Sequence, residues 1–437
     1  MFTVLTYGCQ MNKHDSTVIE GLLTETGLEH TQQLDEADII LVNTCCVRER
    51  AETRQKGRVS SLKRYKTANR DVIIGVCGCI AQKDREKLFE ELPHIDLVIG
   101  PQAIPELPAI LNNIWAGKKQ VCGDFLDHGK VVTGVRPGVD DIATFITVMK
   151  GCDNYCSYCI VPYVRGGPVS RAPGDIMREL ESLSLSGIKE VTLLGQNVNA
   201  YGLDLAGNVT FVDLLKAIDT SGFVERVRFV TSHPKDFTRE LVATVAEGKT
   251  LCACFHLPAQ AGSDHILKRM HRGYTRDEYL EKTGWIRNLI PDAAITTDLI
   301  VGFPGETEDE FLSTVSLVEA VRFEKSHTFY FSPREGTAAA DLPGLLPLEE
   351  RKDRLRRLVK VTDRITGEQA AAQVGKVLEV LVEGPSKKDA EKLMGRTRAD
   401  AIVIIDNEEN LIGKLVKVRI DESRTWTLFG SRVDTTG

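Results

Sequence analysis

Three cysteines within residues 149–167 (MKGCDNYCSYCIVPYVRGG) restrict this chain more than any other feature. Cys152, Cys156 and Cys159 stand in a Cys-x3-Cys-x2-Cys pattern, with Tyr158 directly before the last thiol. Three thiolates on one short loop can hold three irons of a [4Fe–4S] cubane, which normally takes four cysteines. The fourth iron is then open to a substrate or cofactor. Two other readings fit the same residues: structural zinc and inert structural thiols. Structural zinc wants four ligands, usually in paired units, and no His follows here at zinc-finger spacing. A disulfide framework is weaker still, because nothing near the N-terminus resembles a secretion signal.

The pattern Cys-x3-Cys-x-aromatic-Cys resembles the signature of the radical S-adenosylmethionine enzymes. The continuation IVPYVRG…VSR is similar to the methylthiotransferase branch of that superfamily. The resemblance implies that the open iron chelates S-adenosylmethionine and that an electron from the cluster cleaves its C5′–S bond. The product is a 5′-deoxyadenosyl radical. The spacing gives a cluster with an open iron; the cofactor comes from the resemblance.

A length of 437 residues allows two or three domains, each with its own core. No run approaches the length that crosses a bilayer, and no targeting segment is evident, so a cytoplasmic protein without a membrane partner is expected. Eleven cysteines are many for a reducing compartment and favour metal or redox chemistry over disulfides. The net charge of −7 gives no global argument for nucleic acid. Any such argument must be local.

Residues 1–120 alternate apolar runs (FTVLTYG, DIILVNT, VIIGVCG, DLVIG) with helix-compatible segments, which predicts a parallel α/β sandwich. Functional groups in such sheets gather beyond the carboxyl ends of the strands. Cys9, Cys45 and Cys79 each follow one of the first three strands, so they land along one sheet edge. The alternative is three buried structural cysteines. The motifs YGCQMN, NTCCVR and GCIAQ are similar to the ligand motifs for a second [4Fe–4S] cluster in the methylthiotransferases, which implies that Cys9, Cys45 and Cys79 are its ligands. Cys46 and Cys77 match no ligand position, although alternative ligation stays open. Residues 48–70 read as one helical segment with nine Lys or Arg against two Glu. This is either a solvated face or a phosphate contact. Residues 118–141, with Cys122, read as an inter-domain connection.

From 138 to 368 six strand–helix units predict a partial (β/α)6 barrel with its chemistry at the carboxyl ends of the strands. Gln196 and Asn197 follow the second strand, His256 and Gln260 the fourth, and Asp298 lies within the fifth. By resemblance to radical S-adenosylmethionine enzymes, Gln196, Asn197, Gln260 and Asp298 are the cofactor-binding candidates. The family usually has Ser where this chain has Ala261 and Thr where it has Val164. A basic helix over 347–372 leads to β-rich residues 372–435, a small barrel of oligonucleotide-binding type. This last segment resembles the TRAM domain, an RNA-binding module. Its eleven Lys or Arg across 373–437 are matched by eleven Asp or Glu, so charge alone does not mark it as an RNA binder.

The fold class is therefore α/β with a terminal β-barrel, and the resemblance runs from Tyr7 to about Val433. Gln10, Met11 and Asn12, with LLGQNVNAYG, are similar to the branch commonly called MiaB. That branch methylthiolates C2 of N6-isopentenyladenosine beside the tRNA anticodon, using two [4Fe–4S] clusters and S-adenosylmethionine. The resemblance implies a tRNA substrate, an electron donor such as flavodoxin, a sulfur source and a monomer. Related branches act on threonylcarbamoyladenosine in tRNA or on an aspartate of a ribosomal protein. A reading of another class is a non-catalytic, metal-stabilised RNA-binding protein.

Overall fold

The computed structural model describes residues 1–46, 49–118, 120–123 and 141–433. Strands β1 (Phe2–Thr6), β2 (Ile39–Thr44), β3 (Ile73–Gly78), β4 (Leu97–Ile99) and β5 (Val121–Cys122) pair in that order, all parallel. β2 and β3 are buried at every residue, as strands covered on both faces must be. Alternate residues serve opposite faces. Leu41 and Ile73 pack with helices α1 (Gln10–Glu25) and α6 (Leu107–Trp115). Ile40, Val42, Ile74 and Val76 pack under α2 (Glu49–Ser61), α3 (Lys63–Ala68), α4 (Cys79–Asp84) and α5 (Lys87–Glu91).

The expected single helix over 48–70 divides at Leu62, which is fully buried. Leu62 N–H donates to Val59 O at 3.0 Å and Tyr65 N–H to Leu62 O at 2.9 Å. That three-residue repeat keeps Val59, Leu62 and Tyr65 against the sheet. Of the expected connection over 118–141, Val121–Cys122 instead adds the edge strand β5; residues 119 and 124–140 lie outside the described ones.

One bridge fixes where this sheet gathers ligands. Phe2 pairs in parallel with His30 through Phe2 N–H to Glu29 O (2.8 Å) and Thr31 N–H to Phe2 O (2.9 Å). The chain thus returns outside β1 before crossing to β2, and the strand order reverses between β1 and β2. Open α/β sheets collect ligands in the crevice at such a reversal. Cys9 and Cys45 border it.

The next unit begins with β6 (Ala143–Thr147), followed by a two-stranded ribbon of β7 (Met149–Lys150) and β8 (Val169–Ser170). Between the ribbon strands lie the Cys152–Cys159 loop and the short helix α7 (Val161–Arg165). The parallel strands β9 (Glu190–Leu194) and β10 (Arg226–Phe229) extend from β6. A second parallel group comprises β11 (Cys254–His256), β12 (Ala294–Val301) and β13 (Lys325–Tyr330). A Val227–Leu251 bridge joins the groups, giving six strands in sequential order, the partial barrel. Its core is continuous with that of the first unit, because α1 packs on β6. Thr147 Oγ1 donates to Met11 Sδ across this junction at 3.4 Å.

The long helix Leu348–Ala371 fastens the barrel's side. Its basic charge is internally matched: Arg354 is buried and donates to Glu306 Oε2 at 2.8 Å, and Arg351 donates to Phe331 O at 2.6 Å. Beyond it, β14 (Val377–Ser386), β15 (Asp389–Thr397), β16 (Ile402–Asp406), β17 (Leu415–Arg424) and β18 (Thr427–Arg432) close a small barrel. Two buried arginines of β10 dock it. Arg226 donates to Arg396 O (2.7 Å) and Glu379 O (3.1 Å), and Arg228 to Thr397 O (2.6 Å) and Arg398 O (2.8 Å). Arg226→Ala would leave two carbonyls without these donors, at a cost of about 2–4 kcal/mol. Thermal unfolding should show a lower midpoint, and limited proteolysis should open the chain near residues 372–376; an unchanged melt and digest would refute this docking role.

Candidate metal and cofactor site

The Cys152–Cys159 loop is shaped by its backbone before any ligand binds. Gly151 has φ +76°, and a Cβ there would lie 1.8 Å from Gly167 O, so no other residue fits. Gly151 N–H donates to Gln196 Oε1, and Cys152 N–H to Gly166 O at 3.1 Å. Ser157 N–H reaches Met270 O at 3.0 Å, and Ala339 N–H reaches Ser157 O at 2.7 Å. The loop is thereby anchored at both ends and its middle.

Each sulfur environment can be read in turn. Asn154 Nδ2 donates to Cys152 Sγ at 3.4 Å, and Arg272 Nη1 to Cys156 Sγ at 3.3 Å. His233 Nε2 stands 4.0 Å from the same sulfur. Its Nδ1 accepts from Lys235 N–H at 3.2 Å, which assigns the proton of the neutral ring to Nε2. Burial, then Arg272 and Lys235, push the His233 pKa down to about 2, so the ring stays neutral. Burial pushes the Cys159 thiol up to about 12 and raises that of Cys152. Buried thiols of this kind ionise when a metal takes the proton's place.

The second cysteine group forms where the first sheet reverses. Cys9 is the N-cap of α1, and Cys79 opens α4 directly after β3. A Cβ on Gly8 (φ +122°) would lie 2.5 Å from Cys45 Cβ, so the glycine permits the approach of Cys9 to Cys45. Asn12, fully buried, ties the turn together by donating to Thr44 O at 2.7 Å and Tyr7 O at 3.1 Å. A hydrogen bond with Cys45, and then Arg165 against the opposing effect of burial, bring the Cys9 pKa down to about 6. A hydrogen bond from Cys46 lowers Cys79 to about 7 and raises Cys46. Cys46 therefore belongs to this sulfur cluster by contact, whereas Cys77 is buried in β3.

Lowered thiols at Cys9 and Cys79, backbone shaped for close sulfur approach, and N–H donors aimed at the Cys152 and Cys156 sulfurs all fit a cluster-binding role. Among the described residues no three His, Cys, Asp or Glu side chains converge on one metal-ion position. A cubane takes each thiolate on a different iron.

The strand-end candidates divide in two. Gln196 supports the cysteine loop, and Asn197 braces neighbouring strand ends by donating to Asp236 Oδ2 (2.7 Å) and accepting from His233 N–H (3.2 Å). Gln260, four residues beyond β11, lies beside Asp298 of β12, and its N–H donates to Asp298 O at 2.9 Å. Asp298 Oδ2 lies 3.5 Å from His256 Nε2. Gln260 Oε1 and Ser232 Oγ are buried without a hydrogen-bond partner, a costly state that a polar ligand would relieve. Ala261 and Val164 are both buried; Val164 packs in the apolar cluster that contains Cys46 and Cys79.

Sequence reading missed Arg272, His233, Ser232 and Arg165. The run TSHP after β10 was a signal for Ser232 and His233; nothing local marked Arg272. The basic segment is matched only in part. Lys56 pairs with Asp84 and Glu91 (both 2.8 Å) and Lys66 with Asp96 (2.8 Å), while Arg54, Lys63, Arg64 and Arg70 are exposed; Arg48 lies outside the described residues.

Three family models match the chain: "Uncharacterized protein family UPF0004" over residues 1–100, "Radical SAM superfamily" over 146–318 and "TRAM domain" over 371–433. A tRNA-2-methylthio-N(6)-dimethylallyladenosine synthase from Moorella thermoacetica is 44% identical over 445 residues, covering 99% of this chain and 98% of that protein. The enzyme of the same name from Thermoanaerobacter pseudethanolicus is 45% identical over 439 residues, covering 99% and 93%. Among solved structures, the radical S-adenosylmethionine methyltransferase TsrM from Kitasatospora setae, with cobalamin and a [4Fe-4S] cluster bound, superposes with a TM-score of 0.58. It is 15% identical, covers 82% of this chain and 84% of its own, and speaks for the fold alone. With near-full-length identity to those synthases and a radical S-adenosylmethionine barrel at its centre, the chain belongs to the tRNA-2-methylthio-N(6)-dimethylallyladenosine synthase family.

Proposed function

We propose that this chain methylthiolates C2 of N6-isopentenyladenosine beside the anticodon of tRNA. In this reading Cys152, Cys156 and Cys159 hold one [4Fe–4S] cluster and Cys9, Cys45 and Cys79 a second. One observation carries it: two cysteine groups at strand carboxyl ends of two packed units, in a chain 44% identical across 99% of its length to a named synthase. When bound, the clusters and S-adenosylmethionine supply a hydrogen-abstracting carbon radical for the non-acidic C2–H, together with the sulfur and methyl group, chemistry that side chains lack.

The chain's own residues position and shield. Arg272 and neutral His233 direct N–H groups at the Cys156 sulfur. Gln196 holds the loop through Gly151, and Asn197 fixes the neighbouring strand ends. Gln260 Oε1 and Ser232 Oγ offer buried partners for the cofactor's polar groups, with Asp298 beside them. Exposed Tyr155 and Tyr163, 6.2 Å apart and nearly perpendicular, give the rim of the cysteine loop two faces on which unpaired bases stack. Exposed Arg54, Lys63 and Arg64 attract the phosphate backbone.

Residues 1–120 act as the sulfur-supplying unit, 138–368 as the radical unit and 372–435 as an RNA-binding unit. No helix among the described residues is long and apolar enough to cross a membrane. We place the protein in the cytoplasm as a monomer, served by an electron donor of flavodoxin type and a sulfur source.

The reading is tested with reconstituted protein, S-adenosylmethionine, a reductant and isopentenylated tRNA under anaerobic conditions. Mass spectrometry should find 2-methylthio-isopentenyladenosine together with 5′-deoxyadenosine; 5′-deoxyadenosine alone would overturn the substrate assignment. The combined Cys152→Ala, Cys156→Ala and Cys159→Ala variant should retain the iron and sulfide of one cluster, and retention of two would refute the ligand assignment. Tyr155→Ala with Tyr163→Ala should weaken tRNA binding about tenfold while the cluster absorbance stays unchanged. Equal affinities in a filter-binding titration would exclude the stacking role.

A further inference from the structure

Arg165 ends α7, six residues after Cys159, yet its side chain leaves the barrel unit altogether. It is 6% exposed and enters the first unit, where Nη2 donates to Asp15 Oδ2 at 2.8 Å and to Asn12 Oδ1 at 3.3 Å. The guanidinium's positive charge also acts on the Cys79 and Cys9 thiols and lowers both. Asp15, on α1, is 3% exposed. It therefore holds the planar fork on one side while the thiolates occupy another. Asn12 links the same fork to Thr44 O, directly before Cys45. One side chain thus joins the helix that follows the Cys152–Cys159 loop to the turns that carry Cys9, Cys45 and Cys79.

We propose that Arg165 is a positioning residue that, held by Asp15 and Asn12, fixes the separation of the two cysteine groups and, by its charge beside the N-terminal group, tunes whatever these thiolates bind. The inference rests on the two-site reading above. A guanidinium beside ligand sulfur stabilises the more negative, reduced state of a cluster, because hydrogen bonds to sulfur and local charge set its potential. The neighbouring anion matters as much. Without Asp15 the fork would be free to turn away, and without Arg165 the Asp15 carboxylate would stay buried beside thiolates with its charge unmatched. Transfer between two centres also depends on their spacing, and misplacement by about 1 Å costs on the order of 100-fold in rate.

The test uses full-length, reconstituted protein and two variants. Arg165→Met removes the charge and the fork; Arg165→Lys keeps the charge, loses the fork and is the variant more tolerant of burial. Each is also made in the combined Cys152→Ala, Cys156→Ala and Cys159→Ala background, which isolates the cluster of the N-terminal group. There, redox titration followed by electron paramagnetic resonance should show reduction shifted to more negative potential in Arg165→Met, with partial return in Arg165→Lys. In the otherwise unaltered chain, methylthiolated product should fall about 100-fold while 5′-deoxyadenosine formation changes by no more than about twofold, so more 5′-deoxyadenosine is formed per methylthiolated product. An unmoved potential, or loss of both products in parallel with Arg165→Lys, would overturn the proposal. If the unaltered chain makes no methylthiolated nucleoside, the proposed function fails, and the potential still judges Arg165.

Discussion

Bringing anionic sulfur together inside a protein is the constraint to which the rest of this structure answers. Thiolates repel one another, and burial raises the cost of each charge. The response is twofold. Backbone is shaped by glycine so that sulfur-bearing residues approach without side-chain clashes, at Gly8 beside Cys45 and at Gly151 beneath the Cys152–Cys159 loop. Buried guanidinium groups then supply fixed positive charge, Arg165 at one site and Arg272 at the other. Both arginines reach their sulfur from a distant part of the chain, so each site is completed only when the units have folded and packed.

That dependence explains what the sequence does and does not disclose. Cysteine spacing is local, and so is the alternation of strands that places Cys9, Cys45 and Cys79 at strand ends; both are legible without coordinates. Arg272 lies 116 residues from Cys156, and Arg165 150 residues from Asp15. No window of sequence contains both partners of either contact. β5 has two residues and β15 begins with exposed Asp389, Ala390 and Glu391, so neither gives a strand-like run. The basic segments are legible only in part. Charge counted along the chain cannot see that Lys56, Lys66 and Arg354 are matched by acids from other elements. Gln196 and Asn197 are legible from their position after β9; what they hold, Gly151 for one and Asp236 for the other, is not.

The second cysteine group also shows how far a motif reaches. Cys45 and Cys46 are adjacent, and the fold turns them to different partners: Cys45 meets Cys9 while Cys46 meets Cys79. A helix start at Cys9 adds its own preference for an anion there, since the N-terminus of α1 carries the positive end of the helix dipole. The sheet reversal between β1 and β2 puts this group where open α/β sheets bind ligands. Topology, helix dipole and glycine geometry therefore favour the same crevice for independent reasons.

The position of the terminal barrel sets the size of a substrate that uses the whole molecule. Arg226 opens β10 and receives the small barrel at the amino-terminal end of the strands, whereas the Cys152–Cys159 loop lies at their carboxyl ends. Strands of three to eight residues at about 3.3 Å per residue separate the two by roughly 10–26 Å. A free nucleoside cannot span that interval. A folded RNA can place one loop base among Tyr155, Tyr163 and the strand ends while its body runs along the surface toward the small barrel. The rigid buried contacts of Arg226 and Arg228 keep that interval constant, and a constant interval lets binding energy far from the reacting base contribute to its placement.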